Sequence, residues 1–230
     1  MGVIRGLAAI NQELAKRPSG GDFEDRPKAR YVAVKDGQSV KMVVLQEIDE
    51  GSPNYKEKNG TAIFVLMHTN PDNWQKSAKC TADVGECFGC KKGWKQKVLL
   101  FVNVLVDDGK EEPYVAIFNK GIGKGSVAAD LIAMAGDEDF DLSVTDKTFK
   151  LSRTGEKTNT TYTLAALPKA HGKDLTEYAD KLFDLEKYVF TVSPEKQEAY
   201  YLDGQEDTSA SAAREAATVG AGSSSVDAEW

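Results

Sequence analysis

Apolar residues recur along this chain at two different intervals. Ile4, Leu7, Ile10 and Leu14 fall at helical spacing, which predicts a short amphipathic helix over Val3–Ala15 that Arg17-Pro18-Ser19-Gly20-Gly21 ends as a linker. Beyond the linker the pattern becomes that of strands. Tyr31–Val34 and Ser39–Ile48 read as a pair joined at Asp36-Gly37, and Thr61–Met67 is the next strand. Val98–Val106 is a continuous apolar run broken only by Asn103, the signature of a buried strand; a turn at Asp107-Asp108-Gly109 leads to Tyr114–Phe118. Gly125–Ala135 reads as a helix stopped at Gly136. Leu142–Val144, Thr148–Arg153 and Thr160–Leu167 continue as a β meander, and the stripe Leu175, Tyr178, Leu182, Leu185 predicts a helix over Leu175–Tyr188. There is no internal repeat. Short strands between turns with a few peripheral helices predict a mainly β fold, and favour a small barrel over a parallel α/β sheet.

Composition changes this picture little: 230 residues, 41% hydrophobic and 28% charged, describe an ordinary globular chain. The longest apolar run is far too short to span a bilayer, and Met1–Arg17 mixes charges into its apolar positions, so neither membrane insertion nor secretion is expected.

Charge matters more. A net of −7 looks wrong for a nucleic-acid binder until it is divided along the chain. Asp203–Trp230 holds six acids against the single base Arg214, a net of −5. This stretch is rich in Ala, Ser, Gly and Thr without apolar period, and reads as a disordered acidic tail. The organisation expected is therefore an N-terminal helix and linker (1–21), a core (22–202) and the tail (203–230). Within the core, bases cluster: Arg26, Lys28, Arg30, Lys35 and Lys41; then Lys91, Lys92, Lys95 and Lys97; then Lys120 and Lys124 about a glycine-rich turn. One such run is usually a solvated face. Three of them beside a segregated acidic tail point to an electrostatic groove.

All three cysteines and one of the two histidines, His68, Cys80, Cys87 and Cys90, fall within 23 positions. Cys87-Phe88-Gly89-Cys90 is a C-x-x-C knuckle whose glycine lets both sulfurs turn to one centre. With His68 and Cys80 it supplies a Cys₃His set, the donor chemistry of a closed, structural Zn²⁺ site. An odd cysteine count argues against disulfides. A redox reading of the knuckle lacks its βαβ context, and a zinc deaminase is excluded because His68-Thr69-Asn70 is not H-x-E and Glu86-Cys87 is not Pro-Cys. Positions 68–97 carry few apolar residues, so a metal staple explains how this subdomain would be ordered. His171 stands in a polar turn and is expected to be exposed.

Other features are less specific. Gly121-Ile122-Gly123-Lys124-Gly125-Ser126 fails the Walker pattern, since Gly follows its Lys. The turn either carries Lys120 and Lys124 past a phosphate backbone or is a plain loop. Trp74 and Trp94 flank the cysteines near lysines, an arrangement suited to stacking unpaired bases; packing over the metal subdomain is the alternative. Phe101, Tyr114 and Phe118 lie in strands, where core packing is the unaided expectation. Asn103 either meets a polar partner or faces a groove. The tail ends Val226-Asp227-Ala228-Glu229-Trp230, an acidic segment with an aromatic anchor suited to docking in a partner.

From about residue 60 onward this arrangement resembles the single-stranded-DNA-binding, helix-destabilising proteins of the T-even phages. The resemblance rests on a strand, then His68, Cys80 and Cys87-x-x-Cys90, the basic Lys91–Lys97, and Phe101-Val102-Asn103-Val104-Leu105-Val106. Phe118-Asn119-Lys120-Gly121 before a helix and the acidic tail also match. It implies an OB-type barrel with an inserted subdomain holding one structural Zn²⁺, and single-stranded DNA in the cleft between them. It further implies lysines 91, 92, 95, 120 and 124 on phosphates, Trp74, Trp94, Phe101, Tyr114 and Phe118 stacking bases, and Asn103 in the groove. The function implied is non-enzymatic, in phage DNA replication, recombination and repair in the cytoplasm of a bacterial host. Asp227, Glu229 and Trp230 would engage a polymerase, helicase or recombinase. The family's N-terminal basic-Ser-Thr motif has only a loose echo in Arg5, Lys16-Arg17 and Ser19, which leaves self-association open. The rival expectation is a zinc-dependent adaptor of a replication complex that never touches DNA.

Overall fold

In a computed structural model, which describes residues 29–109, 112–156, 159–168 and 174–202, the run beginning at Val98 belongs to the longest strand, β4 (Gln96–Asp107). The other strands are β1 (Ser39–Val44), β2 (Ile63–Thr69), β3 (Ser77–Lys79), β5 (Tyr114–Gly121), β6 (Thr148–Thr154) and β7 (Thr161–Ala166). The helices are α1 (Phe88–Lys91), α2 (Val127–Ala135) and α3 (Pro194–Leu202). All seven strands form one antiparallel sheet in the order β3-β2-β4-β1-β6-β7, with β5 on the free edge of β4.

Strand β4 is long enough to serve two partners on one edge. Its first half pairs with β2 (Ile63 opposite Phe101, His68 opposite Gln96) and its second half with β1 (Val44 opposite Val104). At the change of partner the backbone N–H of Asn103 would be orphaned inside the protein. The Gln46 side chain takes it, with Oε1 at 3.0 Å, while the Asn103 carbonyl accepts from Leu45 N.

The sheet curls. Val40, Met42 and Val44 of β1, Leu100, Val102 and Val104 of β4, Ala116 and Phe118 of β5, Phe149 and Leu151 of β6 and Leu164 of β7 share one core, into which α2 sets Val127, Ala128 and Leu131. Strands β5 and β7 share no pairing, yet Lys120 Nζ of the first lies 3.8 Å from the Tyr162 ring centroid of the second. Alternate residues of β2, β4 and β5 point to the opposite face. There Ile63, Val65, Met67, Phe101, Leu105 and Ile117 are covered by the segment from Leu175 to Val189. Both faces of β4 are therefore apolar, which explains a run that only Asn103 interrupts.

The expected helix over Leu175–Tyr188 is instead two 3₁₀ segments, Leu175–Lys181 and Leu185–Tyr188. Asn103 is the cause: its Oδ1 accepts from Phe183 N and its Nδ2 donates to Phe183 O, both at 3.0 Å, so the Phe183 peptide groups are unavailable to a helix. Leu142–Val144 is not a strand either. Asp141 and Leu142 have positive φ (55° and 53°), and the buried Glu47 carboxylate gathers Ser143 Oγ, Val144 N and Thr145 N and Oγ1. Of Tyr31–Val34, only Tyr31 bridges to Ile117. Helix α2 begins as expected, with Ser126 Oγ capping Ala129 N. The helix expected over Val3–Ala15, His171, and Asp227, Glu229 and Trp230 of the tail lie outside the described residues. Among the described residues no helix is long and apolar enough to cross a membrane.

Candidate metal centre

The four ligand candidates come from three successive pieces of chain. His68 stands near the end of β2 facing Gln96, Cys80 directly follows β3, Cys87 is the residue just before α1 and Cys90 lies within it. Cys80 N donates to Leu66 O, which extends the β2–β3 pairing and brings its sulfur level with His68. The short α1 closes with Gly93 at φ +68°; Gly93 N bonds Cys90 O and Trp94 N bonds Gly89 O, the paired bonds of a Schellman stop.

The ligand atoms all lie within 4.8 Å of one another. Cys80 Sγ is 3.7 Å from Cys87 Sγ and 3.6 Å from Cys90 Sγ, and His68 Nε2 is 3.2 Å from Cys90 Sγ. A tetrahedral centre with metal–sulfur bonds of about 2.3 Å has sulfur–sulfur edges of about 3.8 Å, so these spacings are those of a metal cage. Sulfur pairs this far apart are not bonded to each other. Gln96 Nε2 donates to the sulfurs of Cys80 (3.4 Å) and Cys90 (3.7 Å), stabilising negative charge there.

A second observation fits the cage. A Cβ on Gly89 would stand 2.4 Å from His68 Cγ, so the knuckle closes directly on the imidazole, and only glycine permits that approach. Gly89 is needed for this contact and not for a left-handed backbone.

The electrostatics of the cluster are mixed: the shifts at His68 and Cys87 favour ligation, whereas the one at Cys80 holds a proton that a metal would have to displace. Burial holds His68 below its ordinary pKa, against a weaker opposing pull from the backbone of Trp94 and Lys95, which keeps the ring neutral. Burial pushes the Cys80 thiol up to about 12. Cys87 runs the other way: burial raises it, but the backbone at Cys90 and Thr81 and the neighbouring thiols bring it below the usual thiol value. The four residues can hold one metal ion.

Several residues expected to contact DNA are placed elsewhere. Phe101 is buried beneath Leu185 and Val189, and Phe118 is buried in the main core. Neither ring has a face to offer a base. Asn103 is fully buried and joins Gln46 to Phe183, so it meets a polar partner and not a groove. Trp94 packs edge-on against Phe88 and Tyr201 at 5.6 and 5.0 Å, in a small core beside the Cys/His cluster. Tyr114 is half-buried with the Arg30 guanidinium 4.6 Å over its ring.

The remaining candidates are accessible. Trp74, on the β2–β3 connection, is 79% exposed. Lys91, Lys92, Lys95 and Lys124 are exposed and Lys120 is half-buried. In the glycine-rich turn, Ser126 Oγ already accepts from Gly123 N and Ala129 N, which spends two of the amides a phosphate would need.

Strand register reveals a surface that the sequence reading missed. On the His68 face of the sheet, the next rows toward the core are Leu66 opposite Val98, then Phe64 opposite Leu100 and Lys120. Phe64, Leu66, Val98, Lys120 and Tyr162 are all half-buried, so an apolar strip with a cationic edge runs from the metal centre toward the core. Alternation in Thr61–Met67 could have revealed it, had Phe64 and Leu66 been assigned to a face. No family model, curated protein or solved structure matches this chain.

Proposed function

We propose that this protein is a non-enzymatic, sequence-tolerant binder of single-stranded DNA, acting in phage DNA replication, recombination and repair, with a structural zinc in its Cys₃His centre. The observation that carries the reading is the half-buried strip Phe64–Leu66–Val98, flanked by Lys120 over Tyr162, beside a subdomain with exposed Lys91, Lys92 and Lys95. Unpaired bases stack on apolar and aromatic surface while lysines neutralise phosphates, and this combination tolerates any sequence. A closed donor set leaves a zinc ion no open position, so its role is to hold one wall of the cleft. The curled sheet with α2 between β5 and β7 is the architecture an OB-type barrel would use for this purpose.

A second reading, a zinc-dependent protein adaptor, is favoured by Trp74 alone: a tryptophan exposed on a connecting loop has the character of an interface anchor. Titration of the full chain with oligothymidylate at several salt concentrations, followed by tryptophan fluorescence, separates the two. Salt-dependent quenching is expected for DNA binding. Neither quenching nor a mobility shift at low salt would leave the adaptor standing. Within the DNA reading, Phe64→Ala with Tyr162→Ala should cost about 1–3 kcal/mol of binding per lost stack and leave zinc content unchanged.

A further inference from the structure

Helix α3 carries little apolar surface, yet two of its residues are buried, Gln197 and Tyr201, one turn apart on one side. Gln197 Oε1 accepts from Phe88 N at 2.8 Å across 109 residues of sequence, and its Nε2 donates to Thr81 Oγ1 at 2.9 Å. Phe88 directly follows the ligand Cys87 and Thr81 directly follows the ligand Cys80. One buried amide thus ties together the two halves of the ligand loop, and Thr81 Oγ1 in turn bonds Glu86 O. Tyr201 serves the remaining piece. Its hydroxyl donates to the carbonyls of His68 and Ala78 at 3.3 and 3.4 Å, and its ring stacks on Phe88 at 6.0 Å. Asn70, two residues after His68, donates to Tyr201 O at 2.9 Å.

We infer that α3 is an integral part of the metal centre, with Gln197 and Tyr201 as positioning residues that set the Cys80, Cys87 and His68 backbones for ligation. The local chain from 68 to 97 does not build the centre alone. Metal affinity then depends on a distant C-terminal helix, and metal occupancy holds that helix in place, because coupling between two events is reciprocal. The inference rests on the metal reading of the Cys/His cluster and is independent of DNA binding.

The test uses the full chain, with zinc as the probe and a chromophoric chelator as competitor. Gln197→Ala should bind zinc about 10- to 100-fold more weakly than the parent, the usual cost of losing an outer-shell partner. It should also show a smaller rise in Tm on adding zinc. Hydrogen exchange should show amides of 194–202 losing protection when zinc is withdrawn, while those of β6 and β7 keep theirs. An affinity within about two-fold of the parent, or equal lowering of Tm with and without zinc, overturns the inference. So does α3 protection that ignores zinc. If Gln197→Ala does not fold, Tyr201→Phe, which keeps the stacked ring, is read by the same competition and by its cobalt absorption spectrum. An unchanged affinity and spectrum there overturn the inference too. A parent chain that takes up no zinc defeats the metal reading itself, a different result from a parent and variant that bind equally well.

Discussion

Replacing Gly89 by Ala sets two effects of known size against each other. Gly89 lies in helix α1, where alanine is favoured over glycine by about 0.5–1 kcal/mol, so local propensity predicts a stabilised chain. The new Cβ, however, would stand 2.4 Å from His68 Cγ and 2.7 Å from His68 Cβ and Cδ2. Carbon atoms rest no closer than about 3.5 Å, so ring and knuckle must separate by about 1.1 Å. Metal–ligand distances tolerate only about 0.2 Å, and the imidazole cannot retreat within that limit and remain a ligand. Crowding of this kind costs about 1–3 kcal/mol, which outweighs the propensity gain. Gly89→Ala is therefore expected to hold less than one zinc per chain by elemental analysis, and to melt about 2–12 °C lower in the zinc-loaded state. Its metal-free form should melt close to the metal-free parent, once α1 is released from the imidazole. A Gly89→Ala chain with one tightly held zinc and a raised Tm would refute the steric reasoning.

Other outcomes follow from the same geometry. Asn103→Ala removes three buried side-chain hydrogen bonds, to Gln46 Oε1 and to both peptide groups of Phe183. Each contributes about 1 kcal/mol, so Tm should fall by about 6–12 °C, and retained stability with lost DNA affinity would return Asn103 to a groove. Neutralising Lys91, Lys92 and Lys95 should weaken binding to all single strands alike and reduce the salt slope by up to about 2, near 0.7 per phosphate contact; an unchanged slope counts against contact with the backbone. Because burial holds His68 below its ordinary value of 6.5, the stability it contributes is complete above 6.5 and is lost as pH falls through the lowered value. Thiolates lose to protons in the same direction, so zinc captured by a chromophoric chelator should rise between about pH 6.5 and 5, and a chain that keeps its zinc at about pH 4 contradicts this. Deleting Asp203–Trp230 removes a net −5 and should tighten DNA binding most at low salt, whereas equal affinities across salt would show that the tail does not compete for the groove.

What the sequence disclosed of the fold was the positions where burial follows a period. Val98–Val106 was legible as a buried strand because both sides are covered from Leu100 to Val106. The stripe Leu175, Tyr178, Leu182 was equally periodic and indeed points inward. Its helix was lost to a competitor 80 residues away, since Asn103 claims the Phe183 peptide groups, and local spacing carries no trace of that. Helix α3 was overlooked for a different reason: the residues it buries are Gln197 and Tyr201, so its inward face is written in polar atoms. The available signal was Ser193-Pro194, a proline at a first helical position. Strand β3 and helix α1 are set by the demands of the ligands and show no period of their own.

The candidate site divides along the same line. His68, Cys80, Cys87 and Cys90 were legible because ligand chemistry is carried by residue type and spacing, both of which survive in a string of letters. Surface residues for nucleic acid are not so marked, because an aromatic in a strand reads identically whether its ring faces a base or a core. In β4 the odd-numbered positions lie under the 175–189 segment and the even-numbered ones face the main core, so neither face of Phe101's strand was free at that point. The half-buried apolar strip lies nearer the Cys/His cluster, at Leu66 and Val98. A cleft at that place needs the subdomain wall to stand firm while the strip stays open. The geometry supplies firmness from outside the strip, through Gln96 on the sulfurs and Gln197 behind the ligand loop. Loss of zinc should therefore abolish DNA binding through the wall, with Phe64, Leu66 and Val98 left in place on an intact sheet.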